Sequence, residues 1–327
     1  MRRLARAGFK GDFIRTAILP DWWNETCDGD PTLLADFEIR VARFFHLPLL
    51  RVKDPGASLA LLPIAGAQLR RIRELDRDRL SPAIHAAIQI ASATVRSLRQ
   101  PDLPADPPPA SGIAWRRLLS PAGRAIKLDH LLADLWARGI PVVPAEHLPV
   151  PNFQGLACIV GNRPVIMLGQ KYDEPGRVAF LVVHETGHIS NGDCSSGQII
   201  VDAEDEVQDD ADIEQRADRY GLEVLTGCYP PPVLRSTDFK GLAGEAITAE
   251  REQGIDAGVL ISSWARASGD FKSATMAIKA LYRSSGAHLL LRRHFDLHVD
   301  LEGASESDRA LLRCVFQDPS NDEAADR

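Results

Sequence analysis

The chain has 327 residues, 45% of them hydrophobic and 25% charged, with a formal net charge of −7. This is the composition of an ordinary globular protein, and it excludes a disordered chain or a set of membrane spans; the length suits two domains or one elaborated domain. The charge is uneven, because residues 1–150 hold 21 Lys and Arg against 16 Asp and Glu, a net of +5, which leaves −12 for the remainder. The basic half is the one suited to meeting an anion. Cys27, Cys158, Cys194, Cys228 and Cys314 are scattered and form no CxxC pair, which points to reduced thiols in a cytoplasmic protein rather than a secreted disulfide framework. The basic N-terminus is followed by no apolar stretch, so neither a signal peptide nor a transmembrane helix is expected.

In chain order, apolar residues recur at helical spacing over 33–45 and 84–98. Between them Arg70, Arg71, Arg73, Arg77 and Arg79 alternate with Glu74, Asp76 and Asp78, the pattern of a solvated helix face. Residues 101–110 are proline-rich and cannot continue a helix, so they read as an extended linker. A helix is expected over 128–136, stopped by Gly139, and a short strand over 140–143. Two apolar, branched runs at 156–160 and 164–168 flank Gly161-Asn162-Arg163, which is hairpin chemistry. Pro175 can open a helix over 177–189, and a strongly acidic loop over 202–212 precedes a helix over 213–225. Residues 242–295 are mostly helical by pattern, and the polar tail after Ser305 is expected to fray. The resulting domain boundaries are 1–100 (mainly helical, a sensor), 101–110 (linker), 111–235 (catalytic) and 236–327 (helical, packed on the catalytic part).

The chemical signal is His184-Glu185-Thr186-Gly187-His188. On a helix, positions i and i+4 share a face, so both imidazoles reach one ion, and the glutamate after the first histidine can act as general base. The rival reading is a core helix with two incidental histidines. A catalytic zinc, one per chain, wants a third protein ligand and an open position. Glu214 on the next helix is favoured over Cys194, which stands where a metzincin has its third histidine but matches that pattern poorly. Asp218, one turn after Glu214, is placed to accept an N–H bond from a ligand imidazole. Tyr172, Tyr220 and His147 are candidates by type alone for stabilising an oxyanion. Cys158, in the strand expected to border the cleft, and Cys194 are candidate inhibitory thiols at the open position, against the simpler reading of buried apolar cysteines. Substrate is expected to add as a strand along the hairpin edge.

Arg177 to Ile189 (RVAFLVVHETGHI) resembles the RxxFTLAHELGH helix of the ImmA/IrrE metallopeptidases, and Glu214 to Tyr220 (EQRADRY) resembles that family's ExxANxFA helix. PVIML at 164–168 is similar to its RPVIxIN strand, and FKSATMAIKALYRSSG at 271–286 to its VSxxAMxxRLxxLG segment. The resemblance covers about 125–290. Asp218 for Asn, Gly221 for Ala and the long acidic loop depart from the family pattern. It implies an α+β, zincin-like metallopeptidase with a small β-sheet and an HExxH helix, flanked by mainly helical N- and C-terminal regions. It also implies a bacterial regulatory protease that cleaves a helix-turn-helix repressor in a stress or phage-defence response, and the extra N-terminal region is similar to that of the CapP-type peptidases that answer to DNA damage. Single-stranded DNA is then a candidate activator, met by Arg70, Arg71 and Arg73 with Trp22, Trp23, Phe44 or Phe45 available for base stacking, although Phe44 and Phe45 read better as core. The alternatives are a DNA-binding regulator with a structural or vestigial zinc site, and the toxin of a toxin–antitoxin pair.

Overall fold

A computed structural model describes residues 2–20, 22–59, 69–70, 74–150, 152–169, 173–194, 199–202, 211–282 and 286–316. It is α+β and mainly helical, with one small sheet. The helices are α1 (Arg2–Arg6), α2 (Gly11–Ala17), α3 (Pro31–Phe45), α4 (Leu49–Lys53), α5 (Glu74–Arg96), α6 (Gly112–Leu119), α7 (Leu128–Ala137), α8 (Pro175–Ser190), α9 (Ala211–Thr226), α10 (Phe239–Gln253), α11 (Ala257–Ser268), α12 (Phe271–Leu281), α13 (Ala287–His298) and α14 (Glu306–Leu312). The strands are β1 (Leu69–Arg70), β2 (Val142–Pro144), β3 (Gly155–Val160), β4 (Arg163–Leu168) and β5 (Ile199–Asp202), in sheet order β1-β5-β3-β4-β2.

The β3–β4 hairpin is antiparallel, with Val160 opposite Arg163 across a two-residue turn. Gly161 takes a left-handed φ of 62° there, which suits glycine and lets the strands twist together. β5 pairs with β3 over Gly155 to Cys158, and β2 pairs with β4 over Ile166 to Leu168. The expectation that substrate adds to the hairpin edge is therefore corrected: the outer edges at its open end already carry strands. β5 was not anticipated, although Ile199-Ile200-Val201 is a β-branched run of the kind that favours strands.

α8 is buried nearly all round, from Gly176 and Val178 through Ile189, as expected of a helix apolar on every face. It packs on β3 and β4 and is covered by α7, α9 and α11. A Cβ on Gly176 would lie 2.7 Å from the backbone of Gly258, so the first turns of α8 and α11 meet backbone to backbone. One hydrophobic cluster runs from Leu4 to Val315 and takes in α2, α3, α5, α7, α8 and the sheet; a second, from Leu234 to Ala277, joins α10, α11 and α12.

The proline-rich segment carries neither helix nor strand, and it is held in place by hydrogen bonds. Arg163 donates to the carbonyls of Pro101 and Leu103, Arg138 O accepts from Asp106 N, and Tyr220 donates to Pro109 O. The expected fraying after Ser305 is corrected for 306–316. α14 buries Ala310, Leu311 and Leu312, Cys314 and Val315 are in the core, and Asp308 binds Arg96. The apolar residues cluster on one side of an otherwise polar stretch, which average composition conceals. All five cysteines are free, and among the described residues no helix is long and apolar enough to cross a membrane.

Candidate metal centre

The site is made where α8 crosses α9. A Cβ on Gly187 would come within 3.1 Å of Ala217 Cα, and one on Gly221 within 3.1 Å of Val183 Cγ2. Small residues on both helices thus bring the backbones close enough for Glu214 to reach the two histidines. His184, His188 and Glu214 are all buried, at 5%, 0% and 5% exposure. Among the described residues they are the one group with metal-ligating atoms gathered together, and neither Cys158 nor Cys194 belongs to it.

The geometry is tight. His184 Nε2 lies 2.9 Å from Glu214 Oε2, His188 Nε2 lies 3.3 Å from Glu214 Oε1, and the two Nε2 atoms are 3.2 Å apart. A tetrahedral zinc with bonds of about 2.0–2.1 Å has edges of roughly 3.3 Å between its ligand atoms, so the two nitrogens, and each nitrogen with the Glu214 oxygen nearest it, are spaced like ligand atoms of such a shell.

Each imidazole is oriented from behind. His184 Nδ1 is 2.9 Å from Asp218 Oδ1, and His188 Nδ1 is 3.3 Å from Asp193 Oδ2. An Nδ1–H donated to each carboxylate leaves both Nε2 lone pairs turned toward one another and toward Glu214. Lone pairs that face lone pairs at such distances require a proton or a metal ion among them, and two imidazoles with a carboxylate are a donor set that suits zinc. The residues present therefore fit a metal ion.

Asp193 was not anticipated. It is placed by the end of α8: Gly192, at φ 74°, donates to Ile189 O, and Asp193 N donates to His188 O. Those two bonds are a Schellman turn, and they return the side chain after the glycine to the helix it has just left. Arg216 on α9 donates to the other oxygen of Asp193 at 3.0 Å. Gly192 right after the metal motif was the available signal, since glycine past a helix end marks such a turn.

Glu185 is fully buried and lies against the start of β3, where a Cβ on Gly155 would fall 2.2 Å from Glu185 Oε1. Glycine at 155 is therefore what leaves room for the carboxylate. Cys158, on the same strand, is 2% exposed; burial, with the Glu185 carboxylate as a second cause, pushes its thiol up to about 12. Cys194 Sγ makes a 3.7 Å contact with Ala157 O. Burial alone would raise the Glu214 carboxyl, but hydrogen bonds to His184 and His188 outweigh it and bring it down to about 2. Burial pulls His188 down, and its contacts with Asp193 and Glu214 more than reverse this, so its value is raised.

Of the other residues singled out, Tyr220 is buried, bonded to Pro109 O and Ser190, and stacked on Trp115. The backbone N–H of His147 donates to Cys314 O. Phe44 and Phe45 belong to the core, Trp23 packs on Phe37, and Trp22 is 47% exposed. Tyr172, Arg71, Arg73 and acidic residues 203–210 lie outside the described residues, and of Arg70 only the backbone is described. Comparison of the whole sequence with models of known protein families returns no match, and comparison with curated proteins returns none either.

Proposed function

We propose that the chain is a zinc-dependent endopeptidase with a zincin-like catalytic unit of the ImmA/IrrE type. The observation that carries this reading is the cluster of two Nε2 atoms 3.2 Å apart around the Glu214 carboxylate, whose Oε2 lies 2.9 Å from His184 and whose Oε1 lies 3.3 Å from His188, beside buried Glu185 one residue beyond the first histidine. Zinc held there supplies Lewis-acid polarisation of a carbonyl and makes water a stronger acid near neutral pH. Asp218 and Asp193 hold the imidazoles in the tautomer that offers Nε2. Glu185 accepts the proton of the attacking water and returns it to the leaving amine. Its close approach to Gly155 limits where the carboxylate can sit, which favours proton transfer in a fixed geometry.

The substrate is proposed, on the resemblance of the two metal helices, to be a helix-turn-helix repressor in a bacterial stress or phage-defence response, with single-stranded DNA as the activating signal. Elemental analysis of the purified protein and cleavage of co-expressed candidate repressors test the reading. One zinc per chain is expected, lost on Glu214→Ala. The Glu185→Gln variant should keep its zinc and lose cleavage by on the order of 10²–10⁴-fold. A protein that takes up no zinc, or a Glu185→Gln variant that cleaves like the parent, would overturn it.

A further inference from the structure

A cavity of about 340 Å³ lies between α2, α3, α5 and α14, on the N-terminal side of the molecule and independent of the metal centre. Its size falls at the lower end of small-ligand pockets. Arg40 and Arg43, one turn apart on α3, and Arg96 near the end of α5 supply three guanidinium groups to its lining. Their ion pairs leave capacity unused. Arg40 gives Nε to Asp36 at 2.7 Å and Nη2 to Glu306 at 3.0 Å, yet its Nη1 is buried with no hydrogen-bond partner, on a side chain only 9% exposed. Arg96 is bound by Asp308. Arg43 is exposed and has no ion pair among the described residues.

Two neighbours extend the polar wall. His46, the lone non-glycine residue with positive φ among those described (52°), ends α3 in the left-handed conformation that glycine usually fills. Its Nε2 lies 2.9 Å from Gln89 Nε2, and Gln89 is itself only 7% exposed. Buried Ile18 and Phe44 form the apolar side. A buried donor left unmade is costly, and backbone held in an unfavourable region persists where surrounding structure requires it. Arg40 and His46, which carry these two features, both line the cavity. Forked N–H donors match the oxygens of a phosphate, and a ring body suits the apolar side.

We propose that this cavity binds a small phosphomonoester of about mononucleotide size, with the phosphate on Arg40 and Arg43 and the body against Phe44. The test is calorimetric titration and thermal unfolding of the full chain with adenosine monophosphate, ribose 5-phosphate and adenosine. Protein stripped of metal by chelation is used so that phosphate cannot report on the metal centre. Adenosine monophosphate should bind once per chain and raise Tm by on the order of 5 °C near saturation, and adenosine should not bind. Arg43→Ala, an exposed position that does not threaten the fold, should weaken binding about tenfold or more. Arg40→Met should weaken it as well, with circular dichroism to confirm folding. The proposal is overturned if neither phosphate ester binds, if adenosine binds as tightly as its monophosphate, if Arg43→Ala binds like the parent, or if binding needs the metal.

Discussion

At the α8–α9 crossing, glycines and an alanine let two helices approach until Gly187 nearly meets the Ala217 backbone. Between α3, α5 and α14, arginines line a cavity of about 340 Å³. In the first region three carboxylates (Asp193, Glu214 and Asp218) crowd two imidazoles. In the second, charge is spread over long side chains with donors to spare. Close packing fixes atoms to within tenths of an ångström, as bond chemistry and metal ligation demand. Looser walls of long side chains accommodate a ligand that comes and goes. The comparison predicts that small changes in volume should be severe at the crossing and mild around the cavity.

The largest expected effects come from Glu185 and from adding one methyl group beside it, at Gly155. The new Cβ would fall 2.2 Å from Glu185 Oε1, so the carboxylate must move. Peptide cleavage should drop about 100-fold while zinc content stays at one per chain. Glu185→Gln should lose at least as much, on the order of 10²–10⁴-fold. A Gly155→Ala enzyme with parental activity would show that the position of Glu185 is not critical.

Acidity gives the next test, on metal-free protein. Glu214 has its folded value lowered from 4.5 to about 2 by the two histidines. Its stabilising contribution is thus complete above about pH 4.5 and is lost as pH falls toward 2, roughly 3 kcal/mol in all. His188 runs the other way: its folded value is raised above 6.5, so its contribution is complete below 6.5 and is lost as pH rises through the raised value. Urea unfolding of parent and Glu214→Gln should differ at pH 6 and converge near pH 2. Curves that stay parallel across that range would remove Glu214 from the acid response.

Asp193 should matter more than Asp218. It is 8% exposed, held by Arg216, and faces an imidazole with no exposure at all. Asp193→Ala should weaken zinc binding about 10–100-fold, measured by competition with a chromogenic chelator. Arg216→Ala should give a smaller loss in the same direction, since it acts through Asp193.

The cluster that could hold a metal was legible because its information is local: His184 and His188 share one helix face by spacing, and Glu214 and Asp218 share another. The hairpin, α7 and α8 were legible for the same reason, through strand chemistry around Gly161 and an apolar run after Pro175. Asp193 escaped because it reaches His188 through a turn rather than through helix periodicity. Gly155 escaped because its importance is a steric contact with a residue 30 positions away on another element. The cavity was least legible, since it depends on pairings such as Arg96 with Asp308, 212 residues apart. Periodicity carries no information about such pairs, and the polar composition of α14 hid its buried face.

The smallest expected effect is that of Asp218→Ala, and it sharpens the comparison within the metal centre itself. Asp218 holds His184 at 2.9 Å, a shorter contact than the 3.3 Å between Asp193 and His188. Distance alone would make it the stronger support. Its side chain is 50% exposed, however, against 6% for Asp193. Water competes for an exposed carboxylate and screens its charge, so the hydrogen bond contributes less than its length suggests. His184 is also positioned by Phe180, one turn before it and 6.2 Å away between ring centroids. Zinc affinity of Asp218→Ala should therefore fall only a few-fold, less than for Asp193→Ala, and the loss should shrink further at high salt. A larger loss than that of Asp193→Ala would show that contact length, not burial, decides how firmly each imidazole is held.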